Sequence, residues 1–388
     1  MKSNYDILGN HIRLIDTRNK GNITDRVLGI NIDKSFMPSV ANVIGTDLSK
    51  YKLITKGKFA CNPMHVGRDE RLPVALYEEE EPAIVSPAYF MFEIIGNTIL
   101  NEDYLMMWFR RPEFDRVCWL HTDGSVRGGI TWDDICRLEL PIPPIEKQIE
   151  IVNDYKVLTR RIALKQKIND NLKEIAMSLF KSWFIDYEPF DLEDKEVPIG
   201  WNTLTLNDKL TISTQSVNPQ KMDCNFVWHY SIPAYDSEQL PSKDIPSSIL
   251  SNKYIVPENA ILVSKLNPDT KRIWRSLSCF EDAICSTEFI IFSVKEPSHR
   301  AFYYLLFNTN SFIDFLISNA TGSTNSRMRV KPASTLDFEF VCPQNEIIDV
   351  FCSKVEPLLQ QIEKNYLEIR KLKELIPIAV AKMMTSNH

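Results

Sequence analysis

The sequence predicts an α+β chain: two similar globular α/β domains alternating with two long helices, which pair as an antiparallel coiled coil across a pseudo-twofold internal repeat. Three observations lead there. The chain resembles itself at an offset of about half its length. Two stretches carry apolar residues in steps of three and four, the spacing of one helix face. The remaining apolar runs are short and bounded by turn residues, as strands are.

The repeat is weak at any one place but colinear. Residues 8–12 (LGNHI) match 206–210 (LNDKL), and the apolar stretch 28–32 matches 230–234. Residues 57–63 (GKFACNP) and 261–268 (ILVSKLNP) each run an apolar strand into Asn-Pro. Then 86–92 (SPAYFMF) pairs with 286–292 (STEFIIF), an aromatic helix at 104–109 with one at 302–307, and 122–127 (TDGSVR) with 321–327 (TGSTNSR). Last, 138–143 (LELPIP) pairs with 338–343 (FEFVCP), after which both halves turn helical. Chance produces any one such pair; a full ordered series defines two equivalent halves.

Within each half, the runs at 83–95 and 283–294 have strand character. Pro112 and Asn310-Ser311 suit the N1 and N-cap positions that open short helices. The expected segments are a first globular domain over 1–144, a first long helix over 145–190, a linker and second domain over 191–343, and a second long helix over 344–388.

The second long helix carries Ile348, Phe351, Val355, Leu358, Ile362, Ile369, Leu372, Ile376, Ala379 and Met383 on one stripe, interrupted only by Asn365. A lone polar residue in such a seam fixes register and pairing. Pro357 and Pro377 are expected to kink or interrupt this helix. The first helix carries Ile145, Ile149, Val152, Tyr155, Leu158 and Ile162, then passes Lys165 to reach Ile168, Leu172, Ile175 and Leu179. Two amphipathic helices packing on their own domains would show the same stripes. The repeat favours mutual pairing, because two equivalent helices in one chain can lie antiparallel. Phe180, Trp183 and Phe184 could offer a base-stacking platform, but on a helical stripe they read as packing residues that anchor the junction or a partner.

Composition bounds the function. A chain of 388 residues with 44% hydrophobic and 25% charged content supports two ordered cores. Its net charge of −6 means that any nucleic-acid site is locally basic, with partner proteins supplying part of the contact surface. Cys61, Cys118, Cys136, Cys224, Cys279, Cys285, Cys342 and Cys352 form no C-x-x-C pair, which argues for buried free thiols rather than zinc or redox chemistry. His11, His65, His121, His229, His299 and His388 lack metal spacing. No metal is expected. With no apolar leader or membrane-length run, the expected location is cytoplasmic.

Basic loops supply the candidate site. Residues 321–335 hold Arg327, Arg329 and Lys331 and carry no acid; Thr321, Gly322, Ser323 and Asn325 add a tight turn and groups that bond phosphate or base edges. His121, Thr122, Gly124, Ser125 and Arg127 are the first-half counterpart. A second pair of loops follows each Asn-Pro: Asn62, His65, Arg68 and Arg71 in the first half, and Lys265, Asn267, Lys271, Arg272 and Arg275 in the second. Arg forks onto guanine and Asn onto adenine, so such loops can read sequence; solvated turns would have the same composition. Glu78, Glu79, Glu80 and Glu81 read as a solvated turn turned away from DNA.

The run LFKSWFIDYEPF at 179–190, followed by VPIGW at 197–201, resembles the central junction of the specificity subunits of type I restriction-modification systems. LPIPP at 140–144 with Glu146 and Gln148 resembles that family's passage from recognition domain into helix, and the T-x-G-S and T-G-S turns leading to Arg127 and Arg327 complete the likeness. It covers the whole chain in domain order. The second helix lacks an LFKSWF equivalent, and Cys342-Pro343-Gln344-Asn345 lacks the Pro-Pro. The resemblance implies a non-catalytic subunit that binds a bipartite, asymmetric double-stranded DNA target, one half per target recognition domain. It implies two DNA-methyltransferase subunits held through the helices, with Val152, Leu158, Ile162, Leu172, Leu179, Phe180, Trp183 and Phe184 on the first and the stripe from Ile348 to Leu372 on the second as coiled-coil or partner residues. It also implies recruited restriction subunits. S-adenosylmethionine, ATP and Mg²⁺ would sit on those partners, with no cofactor in this chain. A helix of about 35 residues spans roughly 50 Å, the scale of one to two turns of B-DNA, so a rod between two readers could set the gap between half-sites.

Enzyme readings find little support in the residues. Asn62-Pro63-Met64 lacks the second proline and the aromatic of an adenine-methyltransferase motif. Neither a G-x-G nor a G-x-x-x-x-G-K-[ST] loop occurs, and Glu193-Asp194-Lys195 is a chance-level nuclease spelling. The competing readings are a single-chain enzyme that modifies or cuts DNA through an unrecognised motif, and a coiled-coil scaffold that binds no DNA.

Overall fold

Buried leucines at equivalent places start both halves in the same way. Leu8 and Leu206 are fully buried, and their amides donate to the carbonyls of Leu138 (2.7 Å) and Phe338 (3.1 Å). In the computed structural model, residues 5–40, 45–64, 66–96, 98–122, 128–190, 197–277, 279–322 and 327–385 are described, without the side chains of Arg68 and 382–385. Compactness divides the chain into Met1–Arg161 with Leu372–His388, and Ile162–Lys371. The division falls inside both long helices rather than at their ends.

In the first unit Tyr5–Ile7 pairs antiparallel with Glu139–Pro141. One four-stranded sheet runs Ile12–Leu14, Phe90–Ile94, Phe59–Cys61, Val74–Leu76. A second runs Phe36–Pro38, Val27–Ile30, Ala83–Val85, Lys52–Ile54, with its middle pair parallel. Phe59 stands opposite Phe92 and stacks on it at 5.1 Å, and both meet Phe109 of the helix Glu102–Phe109. Asn101 caps that helix by accepting from the Tyr104 amide, and Pro112 opens the next, Pro112–Leu120, at N1.

The second unit repeats this strand order. Asn202–Thr205 pairs with Glu339–Cys342; one sheet runs Leu210–Ser213, Phe289–Val294, Ile261–Ser264, Ile273–Arg275. The other runs Ser216–Val217, Lys253–Ile255, Ala283–Cys285, Val227–Tyr230, Ser242–Asp244, gaining one outer strand and keeping one parallel pair. Helices Arg300–Phe307 and Asn310–Ser318 follow. The cap of the latter is Thr309, whose hydroxyl accepts from the Phe312 amide, one residue ahead of the expected Asn310-Ser311.

The long helices are Ile145–Phe184 and Asn345–Thr385. Pro357 and Pro377 do not end the second, contrary to expectation: both are exposed, so water can satisfy the carbonyls that they free. Its seam is Ile348, Phe351, Val355, Leu359, Ile362, Asn365, Ile369 and Leu372, all buried, with Leu358 beside it. The first helix departs from the expected stripe. Ile168 and Ile175 are 46% and 49% exposed, while Asn169, Ala176 and Phe180 face inward. An apolar stripe drawn through Ile168 lies one residue, about 100°, away from the true seam, because the inward position there is polar.

That polar position has a partner. Asn365 Nδ2 donates to Asn169 Oδ1 at 2.7 Å, and Lys165 Nζ donates to Asn365 Oδ1 at 3.0 Å and pairs with Glu368 at 2.8 Å. Two turns along, Lys173 Nζ donates to the Tyr366 hydroxyl at 2.6 Å. From Lys165 with Glu368, through Asn169 with Asn365, to Phe180 with Phe351, rising numbers on the first helix meet falling numbers on the second, so within this unit the helices run antiparallel. Leu158, Leu172 and Leu179 are half-buried at the seam's margin. In the first unit the start of the helix buries Ile151 and Val152, with Val380 against the same core.

Truncating Asn365 to Ala strands Asn169 and Lys165 and is expected to cost about 1–3 kcal/mol in denaturant unfolding, while Asn169→Leu with Asn365→Leu is neutral or stabilising. Strictly additive single and double variants would show that the amides do not act as a pair. A second expectation concerns pH. His229 Nδ1 bonds Asp244 at 2.9 Å, yet burial pushes its pKa below the ordinary 6.5. The unfolded chain then takes up this proton before the folded one, so stability contributed here is present above 6.5 and declines as pH falls below it. The stability difference between wild type and His229→Gln should narrow on acidification; a difference constant with pH would refute this.

Candidate nucleic-acid interface

Two loops distant in sequence meet at one edge of the second unit. The strand Ile261–Ser264 runs into Asn267-Pro268, where Asn267 adopts φ 49° and accepts from the Thr270 amide at 2.9 Å, closing a turn. The hairpin Ala320–Thr321 with Arg329–Val330 lies along this turn. Asn267 N donates to Met328 O at 2.9 Å, and Val330 N to Lys265 O at 3.0 Å. Gly322 permits the tight return, since a Cβ there would stand 2.7 Å from Arg327 O.

The first unit makes the same junction. Asn62 Oδ1 accepts from the Met64 amide at 3.1 Å, so this side chain shapes the turn. Ile130 N donates to Pro63 O at 3.1 Å, and Gly67 N to Gly128 O at 3.0 Å. Gly129 is required by the close approach, as a Cβ would lie 2.9 Å from Pro63 O. The pair Gly128-Gly129 was the sequence signal for this contact. His65, Gly124, Ser125, Arg127, Ser323 and Asn325 lie outside the described residues, as does the Arg68 side chain. His121 is exposed, and Thr122 turns its hydroxyl onto Trp119 O at 2.8 Å to finish the helix.

The cations at these edges fall into two groups. Arg327 and Lys331 are exposed and Lys265 half-buried, with no carboxylate paired to any of them among the described residues. The others are engaged. Arg329 forks onto Glu288 at 3.0 and 3.1 Å. Arg71 meets Asp33 at 3.4 Å, and Arg272 forks onto Asp236 at 2.7 and 2.9 Å. Lys271 Nζ donates to Asn308 O at 2.7 Å, at the end of the first short helix; in the first unit Lys34, which sequence reasoning missed, caps Phe109 O in the same way.

Arg275 is a correction. It is 8% exposed, pairs with Glu356 at 2.5 Å and lies 3.4 Å from Glu363, so it belongs to the core and not to a DNA-facing loop. Burial drives the neighbouring Arg300 down to about 10 and raises Glu363. The helix aromatics are equally internal. Phe184 lies 4.7 Å from Phe351 and 5.8 Å from Trp201, and Phe180 5.4 Å from Phe302. Phe180 and Phe184 therefore close the chain's own core, with Trp183 5.6 Å from Phe351 at its margin, rather than facing a partner. The outward face of the first helix instead carries Val157, Leu164, Ile168 and Ile175. Five of the cysteines are buried as expected, but Cys136 and Cys224 are half-buried and Cys279 is exposed. Among the described residues no group of three metal-capable side chains gathers.

The architecture is that of a duplicated α+β chain with an antiparallel helical pair and matching turn edges in its two halves. No family model matches the chain. It is 26% identical to the type I restriction enzyme MjaIX specificity subunit of Methanocaldococcus jannaschii, over 75% of this chain and 70% of that one. To the type I restriction enzyme HindI specificity subunit of Haemophilus influenzae it is 21% identical, over 97% of both. The solved S subunit of a type I restriction-modification system from M. genitalium shares the fold, with a TM-score of 0.61 at 11% identity over 98% of this chain and 95% of that one. In sequence and in fold, the chain is a relative of the specificity subunits of type I restriction enzymes.

Arg275→Ala should lower stability by about 1–3 kcal/mol, because it leaves the half-buried carboxylates of Glu356 and Glu363 without their cation. The salt dependence of DNA binding by the surviving folded fraction should not change. A folded variant of normal stability with a reduced salt slope would return Arg275 to the interface.

Proposed function

We propose that the chain is the DNA-sequence-reading subunit of a type I restriction-modification complex, recognising a bipartite, asymmetric target with one half-site per unit and carrying no reaction chemistry itself. The observation that supports this best is the repeated edge: in each unit the turn after the central strand, at Pro63 in one and Lys265 in the other, accepts a backbone bond from the segment after the second short helix. An asymmetric split target calls for two readers with one backbone design and different side chains. Lys265, Arg327 and Lys331, without carboxylate partners among the described residues, suit phosphate contact, and Asn267 and Thr321 lie at the same turns for base or backbone bonding.

Two methyltransferase subunits would bind through the outward faces of the long helices, and restriction subunits would join them. S-adenosylmethionine, ATP and Mg²⁺ belong to those partners in this reading. The net charge of −6 favours partners that supply positive surface around the duplex. No helix of the described residues is long and apolar enough to cross a membrane, and a DNA ligand makes the cytoplasm the working compartment.

Co-expression with a type I methyltransferase subunit, followed by genome-wide mapping of methylated adenines, should return one split motif. Lys265→Ala with Arg327→Ala and Lys331→Ala should weaken binding and reduce the salt slope by about 0.9 per lost contact. Methylation by this chain alone would identify an enzyme, and absence of any motif from the assembled complex would favour a scaffold.

A further inference from the structure

Two of the three cations that mark the edge of the second unit have no equivalents in the first; Arg327 alone is matched, by Arg127, which lies outside the described residues. Ile130 and Val330 occupy the same place, each donating its amide to the turn, at Pro63 and Lys265 respectively. Pro63 and Thr131 thus stand where the second unit has Lys265 and Lys331. A first half that reads DNA is therefore short of positive charge at this edge, and a groove of about 680 Å³ at the corner of the two short helices offers more.

Arg110 ends the helix Glu102–Phe109, and Pro112–Leu120 begins beyond Arg111. Phe114 and Cys118 point into the core, which turns Arg116 and Trp119 outward, the indole being 41% exposed. Beneath them the Lys34 ammonium is buried, pairs with Asp115 at 2.7 Å and sits 4.7 Å over the Phe114 ring. Asp115 also accepts from the Leu72 amide at 3.0 Å, so this lining carboxylate is neutralised from within. Arg71 already meets Asp33. Glu70 also lines the groove, leaving four cations to three carboxylates overall. Neither Arg110 nor Arg116 is paired to a carboxylate among the described residues.

The second unit provides an internal comparison. With Phe109 aligned to Phe307, Phe114 to Phe312 and Cys118 to Leu316, all buried, positions 110, 116 and 119 become Asn308, Asp314 and Ile317. Two arginines and a tryptophan are replaced by an amide, a carboxylate and an aliphatic side chain. Charge has moved between two places on one backbone design: turn edge in the second unit, helix corner in the first.

We propose that Arg110 and Arg116 are the DNA-backbone contacts of the first unit, with Trp119 packing on the strand they hold. This rests on the DNA-reading role proposed above. The two guanidinium groups, unpaired to carboxylates among the described residues, can each fork onto a phosphate, and the exposed indole offers a flat apolar face in the same groove.

The test uses the assembled complex with its methyltransferase and a duplex bearing its mapped motif, titrated over a range of salt. Arg110→Ala with Arg116→Ala should reduce the salt slope by about 2 and lower affinity for specific and non-specific duplexes alike. Arg110→Lys with Arg116→Lys should keep most of the slope, and Asn308→Ala with Asp314→Ala should not reduce it. Unchanged thermal unfolding of the alanine variant would confirm that the effect is not loss of fold, since both arginines are on the surface. A full slope in the folded alanine variant overturns the proposal while leaving the DNA-reading role intact. Failure of the wild-type complex to bind any motif is failure of that role instead. An alanine variant that loses methyltransferase on sizing, with an unchanged slope for the complex that remains, would assign the groove to an acidic protein partner and overturn it too.

Discussion

The hydrogen bond between Asn169 and Asn365 sets the register on which the second unit depends. Apolar seams tolerate sliding, because one leucine packs much as another does. A buried amide pair does not, since each amide left alone loses its partner in a place that water cannot reach. With this pair aligned, Phe351 reaches Phe180, Trp183 and Phe184, which in turn meet Trp201 at the start of the following domain. Glu356 and Glu363 come to Arg275, and Tyr366 comes to Lys173. A slip by one turn, about 5.4 Å, would break all of these contacts together. The LFKSWF run is thus better understood as the packing consequence of a fixed helical register than as a surface motif.

Duplication has kept the backbone and released the side chains. The equivalent amide-to-carbonyl bonds of Ile130 and Val330, and the Gly129 and Gly322 positions where a Cβ would collide, tie the loops together in both units. Where no packing constrains a surface position, the halves differ in sign, Arg116 against Asp314 being the clearest case. Common geometry with different outward chemistry is what two readers of unlike half-sites require.

The repeat, the strand runs and both long helices were legible in the sequence, because each is a local periodicity. Asn169 was not: a search for apolar residues steps over a polar position in a seam, and Asn365 is 196 residues away from the partner that explains it. Arg275 looked like a loop cation because its carboxylate partner lies 81 residues later, on a helix whose packing no local pattern reveals. Arg110, Arg116 and Trp119 belong to no motif that the sequence shows. What distinguishes them is that the nearby acid, Asp115, is already held by Lys34, again across 81 residues.

The same distinction bears on the acidic total. A net charge of −6 counts every cation alike, but the structure does not. Arg13 with Glu93, Arg26 with Glu79, Arg272 with Asp236 and Arg329 with Glu288 are closed pairs, whose fields largely cancel beyond a few ångströms. At physiological ionic strength the screening length is about 8 Å, so a strand lying on the surface responds to the cations beneath it and little to the sum over the chain. Among the described residues those cations include Lys265, Arg327 and Lys331 on one unit and Arg110 and Arg116 on the other. A chain can therefore be acidic overall and still present two local basic contacts, and the surrounding negative charge then weakens attachment to DNA that fails to engage both.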